Sequence, residues 1–314
     1  YYGIVSLGGV IMNARKECKT VETTKQKVLT RSTKLINNVF MNVLMDITGL
    51  STANKYDKTS PTYYKEINSL RYGCIAACVD QDLDGKGNIL GLLLNVFELF
   101  WPELLSAGYI KWFSTPIIRV YPKSNGEVYS FYNVEDFKKW PADKSKYNVM
   151  YYKGLGTHSR DETLHMFKNF KDRLYTYGLD INSHRLFEVY FGIDPDLRKE
   201  ELAKPTRELT FTEFNEQEIN KKISCSSHLE TETNLYQKDN LERKLDHVID
   251  GQNQSGRKIL NGLIKAFKKG EKLKVAQLAG FVSQHENYHH GESGLAESIT
   301  GKGFLAVGGK QLRI

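Results

Sequence analysis

The stretch "CIAACVDQDLDGKG" (74–87) decides how the rest of the chain is read. An apolar run of strand length ends in three carboxylates at alternate positions, Asp80, Asp82 and Asp84. Gly85 then lets the chain turn toward a helix beginning near Ile89. No single cationic side chain can neutralise all three acids, and gathering them at a strand end costs repulsion. A hard divalent cation offsets that cost. The pattern D-x-D-x-D-G also opens an EF-hand calcium loop, which needs Glu at its twelfth position and a helix in front. Counted from Asp80, the twelfth position is Gly91, and the run in front is strand-like, so the calcium reading fails. Magnesium fits better, because it commonly takes one or two carboxylates, keeps several waters and completes its shell from substrate phosphate oxygens.

Working outward, "GCIAACV" (73–79) and "TPIIRVY" (115–121) read as strands. The stretch "ILGLLLNVFELFWPELL" (89–105) reads as a single helix too apolar to be exposed. This alternation predicts an α/β sheet domain over residues 1–187. Residues 188–243 read as a connector, polar from Phe211 onward and least structured in "SCSSHLETETN" (224–234).

The remaining stretch, 244–314, carries two amphipathic patterns. Ile259, Leu260, Leu263, Ile264 and Phe267 share a helical face, with Lys258, Lys265, Lys268 and Lys269 elsewhere on it. After a turn at "KGEK" (269–272), a second face runs through Val275, Leu278, Ala279 and Val282. Two helices with a cationic rim outline a DNA-binding helix-turn-helix, although a basic amphipathic helix can also lie on a membrane or a partner.

Composition bounds these readings. With 314 residues, 40% hydrophobic and 26% charged, the chain is long enough for about two globular domains. A net charge of +7 suits an anionic partner such as nucleic acid. No apolar run is long enough for a transmembrane helix, and no signal-peptide layout opens the chain. It begins Tyr1-Tyr2 without Met, which reads as an internal cut of a longer polypeptide. Cys18, Cys74, Cys78 and Cys225 lack C-x-x-C spacing and read as buried thiols of a reducing compartment.

A zinc-protease signature, H-E-x-x-H, spans His285, Glu286 and His289. The longer pattern H-E-x-x-H-x-x-G-x-x-H fails, because Glu292 stands where Gly belongs and Leu295 where the third His belongs. No His, Asp or Glu follows Glu297 to supply a distant ligand.

Taken in order, "VDQDLDG" (79–85), "GLLLNVF" (91–97), "WPELL" (101–105), "YYKGLGT" (151–157), "DGQNQSGRKIL" (250–260), "KVAQLAG" (274–280) and "YHHGE" (288–292) resemble the cleavage core of type IIA DNA topoisomerases. The likeness is to the eukaryotic enzymes and their relatives in large DNA viruses. It implies a Toprim-type parallel sheet domain, then the start of a winged-helix DNA-gate domain. It implies Mg²⁺ at Asp80 and Asp82 with Asp84 as third acidic member, and DNA contacts from Lys153, Arg257, Lys258, Tyr288, His289 and His290. It also implies an ATP-hydrolysing homodimer acting on double-stranded DNA, in the nucleus or, for a viral enzyme, the host cytoplasm, with ATP bound by a domain outside this chain. The histidines of "HENYHHGE" then belong to a DNA gate and not to zinc.

The sequence also departs from the family. The acidic motif E-G-D-S-A, whose Glu completes the metal site, is absent and would lie just before Tyr1. "SLGGVIMNA" (6–14) has Gly8 and Val10 where the family has basic residues. The segment after Asp84 is one residue longer than usual and lacks a common histidine. The nucleophilic tyrosine has no match before Ile314, so the fragment alone is expected to be inactive. A Toprim nuclease or primase would share the acids without the downstream motifs. A non-catalytic winged-helix protein would share the basic helices without the acids.

Overall fold

The computed structural model describes residues 2–7, 9–22, 27–152, 154–266, 273–288 and 291–303. The chain divides into two compact units, Tyr1–Tyr236 and Gln237–Ile314.

In the first unit, β1 (Cys18–Glu22) and β2 (Lys27–Arg31) form an antiparallel pair. Along the chain follow β3 (Ile75–Ala77), β4 (Ile110–Phe113), β5 (Ile118–Pro122), β6 (Tyr129–Phe131), β7 (Tyr147–Tyr151), β8 (Leu174–Gly178) and β9 (Lys222–Ser224). The central sheet runs in the order β3-β4-β8-β9. Its outer pairs are parallel and its middle pair, β4 with β8, is antiparallel. Parallel neighbours need a crossover, and the segment 83–106 supplies the one between β3 and β4. The strand expected at 115–121 exists as β5, but it centres a separate antiparallel sheet, β6-β5-β7. The architecture is therefore α/β, as expected, with mixed rather than purely parallel pairing.

The apolar helix is buried, with Leu90, Leu94, Val96 and Phe97 fully enclosed. It is not continuous. It runs from Gly91 to Phe100, breaks at Trp101 and resumes over Pro102–Ser106. The ring of Pro102 disfavours helical backbone at the residue before it, and Trp101 sits at φ −140°. Two polar residues ride inside this helix, Asn95 and Glu98. Arg15, itself buried, satisfies both: Nε donates to Asn95 Oδ1 at 3.0 Å, and one guanidinium nitrogen pairs with Glu98 while another pairs with Glu188. Removing Arg15 would leave the buried Glu98 carboxylate with His184 Nδ1, at 2.7 Å, as its described partner.

The connector expectation is corrected up to Tyr236. Residues 211–236 form a helix, Phe211–Asn220, then β9 at the sheet edge, then helical turns over Cys225–Thr233. Cys225, His228, Leu229, Thr233 and Asn234 are buried. Polar composition concealed this, because several polar groups find partners inside: Thr233 Oγ1 donates to the Gly87 carbonyl at 3.0 Å, and Asn234 Nδ2 to Tyr190 Oη at 2.8 Å. The thiol expectation also changes. Cys18 and Cys225 are buried, but Cys74 and Cys78 are exposed, because β3 is a three-residue edge strand rather than a fully buried one.

In the second unit the helices Gln254–Ala266, Val275–His285 and Glu292–Gly303 pack around Ile259, Leu278, Ala279, Val282, Leu295 and Ile299. Leu263 lies against this cluster, whereas Ile264 is 69% exposed. The packed face of the first helix runs through Gly256, Ile259 and Gly262, and the missing side chain of Gly262 lets Val282 approach closely. Phe267, Lys268, Lys269 and the "KGEK" turn lie outside the described residues. The described residues of this unit include no strand, so the wings of a winged helix are not among them.

Candidate functional site

The three acids of the opening stretch lie just beyond β3, each half-buried. Asp82 caps the helical segment Leu83–Leu90, its Oδ1 accepting from the Gly85 amide at 2.8 Å. That segment is wound in wide π-turns. A side chain at Gly85 would meet the Asp80 carbonyl oxygen at 2.4 Å, so this turn admits only glycine.

Asp80 reaches across the sequence. Its Oδ1 accepts from the Leu155 amide at 2.7 Å, joining two motifs 75 residues apart. Gly154 fits there for lack of a side chain, since a Cβ would stand 2.9 Å from Asp80 Oδ2. The glycine loop of "YYKGLGT" therefore lies directly on the first acid of "VDQDLDG". Lys153 itself lies outside the described residues.

Among the described residues, no group of three or more His, Cys, Asp or Glu is arranged to hold a metal. The donors still suit magnesium in part. Asp80 and Asp82 each give Oδ1 to a backbone amide, and an ion that uses one or two carboxylates and several waters needs little more from the protein. The amides also offset repulsion between the acids.

The loop runs directly into a helix start that the sequence reading passed over. Ser159 and Glu162 form a capping box on the helix Arg160–Lys168, with Glu162 Oε2 accepting from the Ser159 amide at 2.7 Å. The pattern S-x-x-E was legible in "SRDE" (159–162). Nearby, Lys86 pairs with Glu232 at 2.5 Å and lies over the Trp112 ring. The buried His228 donates to or accepts from Tyr177 Oη at 3.1 Å, and burial lowers its pKa to about 4.

The basic candidates of the second unit are engaged by the protein itself. Arg257 makes a two-pronged contact with Asp250, Nε to Oδ2 at 2.8 Å and a terminal nitrogen to Oδ1 at 3.2 Å. Those bonds hold the Asp250 carboxyl down at about 2. Lys258 Nζ donates to the Asn287 carbonyl at 2.8 Å, and both residues are accessible enough to exchange partners. Tyr288 packs half-buried against the helical core. His289 and His290 lie outside the described residues.

The zinc-protease pattern has no helix to sit on. The helix ends at His285, and Asn287 turns to φ +49°, so the helix carries only the first residue of the pattern. Glu286 is instead tied to Lys265 at 2.9 Å and Asn261 at 2.6 Å, and His285 stacks on Phe281.

Comparison with known proteins gives one consistent answer. A family model, the C-terminal associated domain of TOPRIM, matches residues 113–241. A DNA topoisomerase 2 of African swine fever virus is 41% identical over 304 residues, covering 95% of this chain and 25% of that protein. A probable DNA topoisomerase 2 of Dictyostelium discoideum is 34% identical over 317 residues, covering 100% of this chain and 19% of that protein. Among solved structures, the Plasmodium falciparum topoisomerase II DNA-binding, cleavage and re-ligation domain superposes with a TM-score of 0.70 at 28% identity, covering 93% of this chain and 36% of that one. The chain thus spans about a quarter or less of the curated relatives. Among the described residues, no helix is long and apolar enough to cross a membrane.

Proposed function

We propose that this chain, which is a segment of the type IIA DNA topoisomerase family, supplies the metal-binding half of a DNA cleavage site and part of the floor beneath the cut duplex. The observation that carries the proposal is the junction of Asp80 with the Gly154–Leu155 loop, which brings an acidic motif and a glycine-rich motif to one place. Residues 1–187 would act as the Toprim part and 244–314 as the beginning of the DNA gate.

In the whole protein, a tyrosine hydroxyl outside the recognisable part of this chain attacks a backbone phosphorus. A phosphotyrosine ester forms, the bond to the 3′-oxygen breaks, and that oxygen leaves with a proton. The reverse step reseals the strand. Mg²⁺, when bound by Asp80 and Asp82 with Asp84 close by, supplies charge stabilisation for the leaving oxygen. Backbone amides at Gly85 and Leu155 hold these carboxylates in place before any ligand arrives. Lys153, Arg257, Lys258, Tyr288, His289 and His290 meet the sugar-phosphate backbone and position the duplex without reading its sequence. Two copies of the polypeptide would cut opposite strands so that a second duplex passes, with ATP bound upstream driving the cycle. The work would be done in the nucleus, or in host cytoplasm for a viral enzyme.

The test is relaxation of supercoiled DNA by the full-length polypeptide with Mg²⁺ and ATP. Relaxation that requires both, with protein covalently joined to each strand, supports the proposal. Mg²⁺-dependent nicking that leaves no protein on DNA would favour a Toprim nuclease, and binding without cleavage a non-catalytic DNA-binding protein.

A further inference from the structure

The glycine loop is held at its centre by Asp80, and its two ends converge elsewhere. Tyr152, at the end of β7, and Ser159, the cap of the following helix, bracket residues 153–158. Both bond to the same carboxylate. Glu162 Oε1 accepts from the hydroxyls of Tyr152 and Tyr121, and Oε2 accepts from the Ser159 amide at 2.7 Å. Arg119, buried on β5, lies 3.7 Å from Glu162 Oε1, and its other terminal nitrogen meets His165 Nδ1 at 3.0 Å. His158 closes the cluster by stacking on the Tyr152 ring with centroids 4.1 Å apart.

The carboxylate is therefore fixed from the β5–β7 sheet and from the helix at once. Burial acts to raise its pKa, but the hydrogen bonds from Tyr121, Tyr152 and Ser159 outweigh burial and hold it at about 2. The group stays charged throughout the working range. Burial likewise keeps His158 toward its neutral form, so its ring can cover Tyr152 without adding charge. Tyr121 and Arg119 lie on a different sheet from β3 and touch none of the three acids in the described contacts. The described link from this cluster to Asp80 runs through the loop.

We propose that Glu162 is a positioning residue, clamping both ends of the 153–158 loop so that Gly154 and Leu155 are seated against the Asp80 carboxylate. The inference rests on the function proposed above and extends it: the readiness of Asp80 to hold a divalent cation is set by a carboxylate that never touches the ion. Removing the charge frees both loop ends together, whereas removing either partner frees one.

The test uses the full-length enzyme with Glu162→Ala, Glu162→Gln and Tyr152→Phe. Two quantities are read: the Mg²⁺ concentration for half-maximal DNA cleavage, and hydrogen exchange across residues 153–158, including the Leu155 amide. Glu162→Ala is expected to raise the Mg²⁺ requirement by about tenfold or more, the range typical of groups that orient a metal ligand. It should also expose the Leu155 amide to rapid exchange. Glu162→Gln should fall between, because its amide oxygen still accepts from a tyrosine but carries no charge for Arg119. Tyr152→Phe keeps the helix cap, so if Glu162→Ala fails to fold, Tyr152→Phe decides, with a several-fold higher Mg²⁺ requirement and faster Leu155 exchange expected at an unchanged unfolding midpoint. Unaltered Mg²⁺ dependence and exchange in the folded variants would overturn the inference while leaving the proposed function standing. If wild type shows no metal-dependent cleavage, the function falls instead, and the exchange readout still judges the clamp.

Discussion

The surroundings of Asp80 and the helix Gln254–Ala266 handle charge in opposite ways. Asp80 and Asp82 are half-buried and fixed by main-chain amides at 2.7 and 2.8 Å. Arg257 and Lys258 are held by accessible protein groups, Asp250 and the Asn287 carbonyl, that a phosphate could displace. The difference fits what the proposed function asks each to meet. A small cation demands ligand oxygens placed beforehand, and misplacement of about 1 Å can cost on the order of 100-fold in rate. A polyanion is satisfied by charge that can move a little, because phosphate contacts position without specifying sequence.

Legibility in the sequence divides along the same line. The acids announced themselves by spacing, and the largely apolar helix by composition. The partner of Asp80 could not be seen, since a hydrogen bond across 75 residues leaves no local pattern. The break at Pro102 could have been read from the residue before proline, and the Ser159–Glu162 cap from S-x-x-E. The interior of residues 224–234 was hidden because several of its polar groups find partners within the fold, so composition spoke for exposure when packing decided otherwise. Arg15 was passed over for a related reason. A buried arginine is recognisable only once Asn95, Glu98 and Glu188 are seen around it.

If the fixed acids matter as argued, the largest effect belongs to them. In the full-length enzyme, Asp80→Ala should lower Mg²⁺-dependent cleavage by more than about 100-fold, since losing a ligand should exceed the loss of a group behind one. Filter binding should find its salt-sensitive DNA affinity nearly unchanged. Equal losses of cleavage and binding would erase the distinction between the two regions. Gly154→Ala should come next, with a loss of roughly tenfold or more, because its Cβ would meet Asp80 Oδ2 at 2.9 Å and push the loop away. Wild-type cleavage by this variant would mean that the seating of the loop is unimportant.

Acid should also separate the regions. His228 is buried and resists protonation to about pH 4, while the unfolded chain takes up that proton near 6.5. Between these values the unfolded state binds more protons, so stability falls as pH drops from 6.5 toward 4. The groups facing this ring are Tyr177, Glu232 and Lys86. The Asp250 carboxyl, held at about 2 by Arg257, loses its contribution only below about pH 3.8. Urea unfolding between pH 7 and 4 should therefore weaken the first unit before the Asp250 pair is touched, and a His228 ring titrating near 6.5 by NMR would refute this.

The smallest effect is expected at the exchangeable cations. Arg257→Gln or Lys258→Gln should weaken binding to unrelated duplexes alike and reduce the salt slope by about one. A loss confined to one DNA sequence would turn a positioning contact into a reading one. His285→Ala, at a side chain occupied with Phe281, should leave both binding and cleavage near wild type.

The central claim is that the acids beyond β3 and the glycine loop form one divalent-cation site. The most direct measurement is a crystal structure of the full-length enzyme on nicked duplex DNA soaked with Mn²⁺, read by anomalous scattering. An anomalous peak bonded to carboxylate oxygens of Asp80 and Asp82, with the Leu155 amide still on Asp80, is the predicted result. A peak on other ligands, or a metal-loaded and cleavage-competent complex in which Asp80 stands apart from the ion, would contradict it.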